Sequence, residues 1–329
     1  MPRAVIVGGG FGGVAAAKAL SRANIEVVVV DRENHHLFQP LLYQVASAAL
    51  APSDVAVPVR WLLRRQRNAR VLMATVREVV PAERTLVMED GQTLPYDYLV
   101  LAAGGRHSYF RQDEWEARAP GLKTLADAVE VRHRFLSAFE RAECCSDPTE
   151  RQALLTFVIV GGGPTGVELA GIMVSVARRA FVRDFRAIDT RRTRIVLVEA
   201  GPRLLPTFRQ RLSLRALRDL TALGVEVRLG SAVTAIDGDG VSLGSERIQC
   251  RTVFWAAGNR ASGLAASLGV PLERNGQVRV LSDLSVPGWP EIFVVGDMAL
   301  VESASGQPVP GVAQGAIQMG RTAARNILR

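Results

Sequence analysis

Three glycines near the amino terminus, Gly8, Gly10 and Gly13, have the spacing G-x-G-x-x-G. In such a turn the first glycine permits the tight bend, the second lets the backbone approach a pyrophosphate, and the third lets the next helix pack closely. The start of that helix would offer unpaired N–H groups to the phosphates. Asp31 follows Gly8 by 23 residues, about where an acid would meet a ribose diol. The pattern predicts a dinucleotide site, with a purely structural turn as the alternative.

A second turn of the same kind contains Gly161, Gly163 and Gly166. Its acid is Glu199, which follows Gly161 by 38 residues, a longer interval than usual. An acid here predicts a preference for NADH over NADPH, because hydrogen bonds to a ribose diol contribute about 1.5 to 3 kcal/mol and a 2′-phosphate would meet a like charge. Arg203, four residues on, could weaken that repulsion.

The long interval contains an arginine-rich segment. It includes Arg178, Arg179, Arg191 and Arg192. We interpret this segment as a solvated helical extension, and a surface for a membrane or a partner is the alternative.

The two turns must be positioned by repeated elements. Residues 4–20 and 157–173 share one plan, in which a short β-branched run precedes a glycine turn and a helix. The strands that end at Asp31 and Glu199 are continuously apolar, which is typical of parallel sheets covered on both faces. The sequence therefore predicts an α/β fold with two Rossmann-like dinucleotide-binding domains.

Later segments indicate how the two domains are connected. Residues 94–106 and 251–260 look like a second matched pair, each a strand that runs into a turn of small residues. Residues 291–299 and the helix after them have no repeat partner, so we expect them to return to the first sheet. The second domain, 117–284, would then be inserted into the first, which comprises 1–116 and 285–329.

Two dinucleotide sites in one chain suggest a relay in which NADH gives a hydride to a resident flavin. The flavin would carry the difficult chemistry, and the protein would orient the rings and tune their electrostatics. Asp297, in the sequence VVGDM, is of the right type to contact a ribityl or phosphate group. A helix N-cap is its alternative role.

Composition excludes some classes of protein. Of the 40 basic residues only Lys18 and Lys123 are lysines. Despite the net charge of +8, this skew favours genome-wide codon bias over a binding surface for nucleic acid, an anionic membrane or anionic cofactors. The three cysteines have no spacing typical of a metal site or a redox pair, so a disulfide framework is excluded and a reducing, cytosolic setting fits. The apolar stretch 157–177 contains a glycine triplet, which argues against a membrane-spanning helix.

Four sequence motifs are specific enough to indicate a resemblance to a known family. They are NHHLFQPLLYQVA at 34–46, GGGPTGVELAG at 161–171, EAGPRLLP at 199–206 and AQGAIQ at 313–318. Over essentially all 329 residues the chain resembles the two-dinucleotide-binding-domain flavoproteins of glutathione-reductase-like fold, and within them the type II NADH dehydrogenases. The resemblance implies bound FAD, NADH as donor and a membrane quinone as acceptor, as in a non-proton-pumping enzyme of the respiratory chain.

The resemblance also implies roles for individual residues. Gln314 and Gln318 match the quinone-site pattern A-Q-x-x-x-Q, and the backbone at Ala313 and Gln314 would lie near the isoalloxazine. Glu168 would lie near the nicotinamide. It is the one charge in a long apolar stretch, so we expect a buried carboxylate that either carries a proton for quinol formation or accepts structural hydrogen bonds.

The two nucleotide sites include further residues. Ala103 is assigned to the FAD site, and Thr165 and Gly258 are assigned to the NADH site. His35 and His36 are expected to serve the loop or its packing rather than catalysis.

Members of the resembled family usually continue beyond the last helix with amphipathic helices that lie on the bilayer and help form a dimer, whereas this sequence ends at Arg329. We therefore expect attachment at the cytoplasmic face of the cell membrane only with such an extension, a cytoplasmic location without it, and a possible homodimer.

Two other functions stay open from the residues. A soluble NADH-dependent reductase of a small iron-sulfur protein would use the basic surface for docking. A flavin redox sensor would use NADH to trigger assembly instead of turnover.

Overall fold

The computed structural model describes residues 1–303 and 306–329. Contacts divide the chain into two compact units. The first unit comprises Met1–Leu37, Ala56–Arg106 and Asn259–Arg329, and the second comprises Phe38–Val55 and His107–Gly258.

The described strands are numbered in chain order. They are β1 Arg3–Val7, β2 Glu26–Asp31, β3 His35–Leu37, β4 Ala56–Pro58, β5 Ala69–Met73, β6 Val76–Val80, β7 Thr85–Met88, β8 Thr93–Pro95, β9 Tyr98–Leu101, β10 Gly105–His107, β11 Thr156–Val160, β12 Arg194–Val198, β13 Glu226–Arg228, β14 Ala235–Ile236, β15 Gly240–Leu243, β16 Glu246–Gln249, β17 Thr252–Trp255, β18 Asn259–Ala261, β19 Val278–Arg279, β20 Ser285–Val286, β21 Trp289–Val294 and β22 Ala299–Leu300.

The α-helices are numbered in the same way. They are α1 Phe11–Ala19, α2 Leu42–Ala46, α3 Pro52–Val55, α4 Val59–Leu63, α5 Leu125–Cys144, α6 Pro148–Leu154, α7 Pro164–Ser175, α8 Gln210–Leu223 and α9 Ala313–Ile327. A π-helical turn, Val176–Ala180, continues α7.

The first unit is built on a six-stranded sheet in the order β20-β21-β9-β1-β2-β5. All neighbours from β21 to β5 pair in parallel, and only β20 runs antiparallel to β21. The central strands are buried along their length because side chains of both faces are covered. Strand β21 pairs with β9, so the prediction that residues 291–299 return to the first sheet is confirmed.

The second unit repeats the plan with a four-stranded parallel sheet in the order β13-β12-β11-β17. In both units the strand that leads into the glycine turn lies between two parallel neighbours, β2 and β9 in one case and β12 and β17 in the other. This confirms the α/β class and the internal repeat.

An aromatic cluster, which the glycine repeat does not predict, lies in the second unit. Phe135 and Phe139 of α5 pack against Phe157 of β11 with ring centroids 5.1 and 5.6 Å away. Such pairs contribute about 0.5 to 1.5 kcal/mol each beyond their burial. Helix α5 begins at a capping box in which Thr124 and Asp127 each accept a backbone hydrogen bond from the other.

The units break the chain at other points than 117 and 284. Tyr109 stacks on Trp255 and Trp115 packs edge-on against it, with ring centroids 5.1 and 5.6 Å away, so both belong to the second core. Leu264 and Leu268 are buried in the first core. Which cofactor each range binds, FAD at 1–116 with 285–329 and NADH at 117–284, stays a prediction.

Candidate nucleotide-binding and catalytic sites

The first glycine turn connects β1 to α1. Gly8 has a φ of +109°, which L side chains rarely adopt, and a Cβ there would overlap the carbonyl group of Ala102. A Cβ at Gly13 would overlap the Gly8 carbonyl oxygen. The strand end is closed by a hydrogen bond of 2.8 Å from Gly8 N–H to the Val30 carbonyl. Ala103 follows Ala102 in this close contact, which accounts for the small residues after β9.

The start of α1 fits a pyrophosphate. Gly10 is its N-cap, no side chain caps the helix, and no acid lies in the first turn. A Cβ built on Gly10 meets no atom within 4 Å, so the space in front of these N–H groups is open. The turn therefore has the free donors and the room that a dinucleotide phosphate needs.

Asp31 closes the same turn. One carboxylate oxygen accepts a hydrogen bond from Gly9 N–H, and the other accepts one of 2.8 Å from Glu33 N–H. A carboxylate has about four acceptor positions, so Asp31 can hold the turn and still accept a ribose hydroxyl.

His36 also holds the turn, from the opposite side of the Gly9 peptide. Its Nδ1 lies 2.9 Å from the Gly9 carbonyl oxygen, so the ring donates there, and it packs edge-on against Phe11 at 4.9 Å. Burial is the largest cause that lowers its pKa below 6.5. The sequence predicted only a loop or packing role for His36. Its hydrogen bond to the glycine turn could not be predicted, because only the fold brings His36 next to Gly9.

The second turn matches the first closely. Gly161 has a φ of +115° and a Cβ there would overlap Ala256, while a Cβ at Gly166 would overlap the Gly161 carbonyl oxygen. Glu199 accepts hydrogen bonds of 2.6 Å from Gly162 N–H and from Gly201 N–H. Gly163 is the N-cap of α7, which has no side-chain cap, and its Cβ position is open.

Gly258 follows β17 and has a φ of +70°, and a Cβ there would lie 2.7 Å from the Ser108 carbonyl oxygen. A side chain at this position would be both strained and crowded. Glycine is therefore required for the turn itself, independently of any ligand.

Glu168 lies on α7 beside a small open cleft in the second unit. The cleft is lined by Gln39, Leu42, Tyr43, Leu122, Lys123, Thr165 and Glu168. Gln39 is fixed by a hydrogen bond of 3.0 Å from its Nε2 to the Lys123 carbonyl. Thr165 and Glu168 thus share one cleft with the segment that follows the two histidines.

The expectation that Glu168 is buried is wrong. Its side chain is exposed at the rim of the cleft, because it lies on the open side of α7 while Leu169 and Ala170 face the core. Desolvation by nearby protein atoms still raises the pKa of its carboxyl group. In the part of the chain that the structure describes, Glu168 has no hydrogen-bond or ion-pair partner. Its carboxyl group is thus available to a ligand.

The arginine-rich segment is only partly solvated. Arg179, Arg191 and Arg192 are exposed as expected. Arg178 is not, because its guanidinium turns inward and donates a hydrogen bond of 3.0 Å to the Thr193 carbonyl. The predicted helical extension is correct for the π-helical turn only, since residues 181–183 form a 3₁₀ turn.

Helix α9 carries the two candidate quinone residues. Gln314 and Gln318 are exposed, one turn apart, and Ala313 is the first residue of the helix. The helix packs very closely on α1, since a Cβ at Gly320 would overlap the Gly12 carbonyl oxygen. Two glycines therefore bring α9 against α1, while the glutamines lie on the exposed side of α9.

Asp297 lies in a 3₁₀ turn, Gly296–Met298, after β21. Its carboxylate accepts a hydrogen bond of 3.3 Å from Asn259 Nδ2, and its backbone carbonyl accepts one of 3.2 Å from Gln277 Nε2. The side chain is not the N-cap of that turn, which is Val295. The N-cap alternative for Asp297 is therefore wrong.

The cysteines are free thiols. Cys144 is exposed, Cys145 is half-buried and Cys250 is buried. Burial raises the pKa of the Cys250 thiol to about 12, so it is not a reactive thiolate. None of the helices among residues 1–303 and 306–329 combines the length and the hydropathy that a membrane-spanning segment needs.

Comparison with known proteins agrees with this geometry. Residues 2–320 match the family described as pyridine nucleotide-disulphide oxidoreductase. The type II NADH:quinone oxidoreductase Ndh of Mycobacterium tuberculosis is 46% identical, over 99% of this chain and 72% of the relative. The demethylphylloquinone reductase NdbB of Synechocystis is 30% identical, over 99% of this chain and 79% of the relative. A structure of NDH2 from Plasmodium falciparum in complex with NADH superposes with a TM-score of 0.90 at 19% identity, over all of this chain and 83% of the other, which bears on the fold alone.

Proposed function

Because the chain belongs to the pyridine nucleotide-disulphide oxidoreductases and, within them, to the type II NADH:quinone oxidoreductases, we propose that it oxidises NADH and reduces a quinone through bound FAD. When bound, FAD accepts a hydride from the nicotinamide and passes two electrons to the quinone. The protein's own residues bind and orient the reactants and supply protons.

The observation that carries the proposal is the duplicated turn. Each turn offers helix N–H groups without a side-chain cap, and open space at Gly10 or Gly163. In each turn an acid also accepts a hydrogen bond from a backbone amide, that of Gly9 or Gly162. A structural turn would need none of the open space. Two pyrophosphates, one in each unit, account for all three features.

In the first unit, Gly8, Gly10 and Gly13 would hold the FAD pyrophosphate and Asp31 its ribose. We assign Ala103, Asp297 and the backbone at Ala313 to the same cofactor. Ala103 follows β9 and Asp297 follows β21, both strands of the first sheet, and Ala313 begins α9 of the same unit.

In the second unit, Gly161, Gly163 and Gly166 would hold the NADH pyrophosphate and Glu199 its ribose. Thr165, in the first turn of α7, and Gly258, after β17, complete the assignment. Carboxylate lone pairs of Glu199 remain after its two backbone hydrogen bonds.

Quinone reduction needs two protons as well as two electrons. The raised pKa of Glu168 makes its carboxyl group a better proton donor near neutral pH than an ordinary glutamate, and its position at the rim gives it access to solvent. Gln314 and Gln318 offer amide groups that can donate to quinone carbonyls. We assign these three residues to the quinone half of the reaction.

The finer location follows from the substrate. A membrane quinone would be met at the bilayer, so we propose action at the cytoplasmic face of the cell membrane. Assembly into a homodimer stays a prediction from the resemblance, and light scattering of the purified protein tests it.

The decisive experiment uses the purified chain. The cofactor is identified by its spectrum, NADH is added without oxygen to bleach it, and a short-chain quinone is then added. We expect bleaching followed by recovery within the turnover time. Recovery with a ferredoxin but not with quinone would favour an iron-sulfur protein reductase, and slow recovery with every acceptor together with an NADH-dependent change in size would favour a sensor.

Donor preference is the first prediction. Because Glu199 would meet the 2′-phosphate of NADPH with a like charge, kcat/KM for NADH should exceed that for NADPH by about tenfold or more. Glu199→Gln should narrow the ratio by weakening NADH and relieving NADPH. Equal efficiency of both donors in the unaltered enzyme would remove the ribose assignment.

A further inference from the structure

A basic segment that the proposed reaction does not use follows β4 in the first unit. It contains Arg60, Arg64, Arg65, Arg67 and Arg70 and has no acid between residues 59 and 70. All five arginines are exposed, and so is Trp61, at 55% of its full area. Helix α4 contains Arg60 and Trp61 and buries Val59 and Leu63.

The segment is fixed to the end of α1. Gln66 Nε2 donates a hydrogen bond of 2.8 Å to the Ala17 carbonyl. Asn68 Nδ2 donates hydrogen bonds of 3.0 and 2.9 Å to the carbonyls of Leu20 and Ile25. Two more exposed cations, Lys18 and Arg22, therefore lie beside the segment. We call Trp61 with Lys18, Arg22, Arg60, Arg64, Arg65 and Arg67 the basic tryptophan patch.

The charges of this patch are uncompensated. Arg70 pairs with Glu26 at 3.2 Å and is left out of the patch, but none of the patch cations has an ion pair within residues 1–303 and 306–329. Some arginines outside the patch are neutralised, as Arg194 is by Glu226 at 2.8 Å. Codon bias would explain arginines in general, but it does not explain a group of them without acids.

Trp61 differs from other tryptophans of the chain. Trp115 and Trp255 are 9% and 3% exposed, because each is part of the second core. Trp61 instead lies on the surface with the guanidinium carbon of Arg64 stacked 3.9 Å from its ring centre. A large apolar ring with an adjacent cation, held in water, is typical of side chains that enter the headgroup region of a bilayer.

We propose that the basic tryptophan patch docks the protein on a membrane surface rich in anionic phospholipids. Its cations match the charge of the headgroups, and clusters of four to eight basic residues are typical of such binding. Trp61 favours a lipid partner over nucleic acid. A single exposed indole ring can be buried among lipid headgroups, as at membrane interfaces, without needing a base to stack on. The proposal rests on the proposed function only in that a quinone substrate would be located in a membrane. It adds anionic phospholipid as a partner and the basic tryptophan patch as the surface that binds it.

The test uses the FAD-loaded full chain and vesicles of phosphatidylcholine with or without phosphatidylglycerol. We expect cosedimentation with the anionic vesicles, reduced by high salt, and little with the neutral ones. Each basic residue near such a surface strengthens partition about fivefold, so Arg64→Gln with Arg65→Gln should weaken it about 25-fold.

A matched pair controls for net charge. Arg77→Gln with Arg274→Gln removes two exposed arginines outside the patch, neither of which forms an ion pair in the described chain, and should change partition by less than about twofold. Trp61→Ser should abolish the blue shift of tryptophan fluorescence on anionic vesicles, whereas Trp61→Phe should retain binding without that signal.

Several results would overturn the proposal. They are equal losses in the patch and control pairs, equal binding to neutral and anionic vesicles, or tighter binding to duplex DNA than to the anionic vesicles. Turnover with a water-soluble short-chain quinone should be the same in all variants. If the unaltered protein showed no turnover with the short-chain quinone, the proposed function would be refuted. The vesicle experiment would still decide the membrane proposal by itself.

Discussion

At the scale of single residues, Glu168 gives a test that depends on pH. Its carboxyl pKa is raised by desolvation, so Glu168→Gln should slow quinone reduction about tenfold, since water at the open rim can replace part of a general acid's contribution. The loss should be largest at low pH, where the carboxyl group of the unaltered enzyme keeps its proton. Stopped-flow reoxidation of the NADH-reduced enzyme by a short-chain quinone, from pH 5 to 8.5, measures it.

The same substitution has a signed effect on stability. A raised pKa means that the folded state binds the proton more tightly than the unfolded state, so stability falls as pH rises from 4.5 through the raised value. Glu168→Gln lacks this fall, and its urea midpoint relative to the unaltered protein should rise over that window. Full quinone reductase activity of the variant at every pH would refute the proton role.

His36 gives a second test at this scale. Its ring bonds the Gly9 carbonyl and packs on Phe11, so His36→Phe should keep the packing, lose one hydrogen bond and weaken FAD binding about fivefold. FAD release on dilution, followed by flavin fluorescence, measures the change. His35→Phe is the control, because the hydrogen bond that the structure gives for the His35 ring is to Asn34 at 3.3 Å and not to the glycine turn, so this substitution should leave FAD binding unchanged. Equal FAD release from both variants would deny His36 its role.

Sequence alone reached the glycines and their acids, because a turn that approaches a phosphate restricts residue type at fixed spacing. It gave the wrong burial for Glu168, because an apolar stretch does not reveal that one side of α7 faces a cleft. It also could not connect His36 with Gly9, since 27 residues separate them and only the fold brings them together.

At the scale of elements, the contact between α1 and α9 is the most sensitive. A Cβ at Gly320 would overlap the backbone of Gly12, so Gly320→Ala should displace α9, lower the unfolding free energy by about 1 to 3 kcal/mol and weaken FAD binding. Thermal unfolding and flavin content measure both effects. Gly171→Ala is the matched control within a helix, since its Cβ would lie an ordinary 3.5 Å from Leu220, and it should be neutral or stabilising. Equal stability of the two variants would contradict the close contact.

The strands, turns and first helices were predictable because the apolar runs, the glycines and the acids agree with one another. Residues 38–55 were not, because they pack on α5 and α7, and those helices begin only at Leu125 and Pro164. Behind α5 lies the phenylalanine cluster, in which Phe157 of β11 packs on Phe135 and Phe139 although it lies outside their helix.

At the scale of the whole molecule, the two half-reactions should be separable. Gly163→Ala fills open space at an allowed backbone conformation, so it should leave stability unchanged and raise the KM for NADH about tenfold or more by crowding the pyrophosphate. Gln318→Ala should leave bleaching by NADH unchanged and slow recovery by quinone. Anaerobic stopped-flow of each half-reaction makes the comparison. A slower quinone step in Gly163→Ala would contradict the division, as would a slower NADH step in Gln318→Ala.

The path of the chain between its two units has a consequence for making and dissecting the molecule. It passes from one unit to the other after residues 37, 55, 106 and 258, so neither unit is one uninterrupted stretch of polypeptide. No single protease cut could release either unit whole. A gene fragment encoding 107–258 would lack α2, which packs on α5 and α7. Ribosomal synthesis must also finish the second unit before α9 emerges to complete the first.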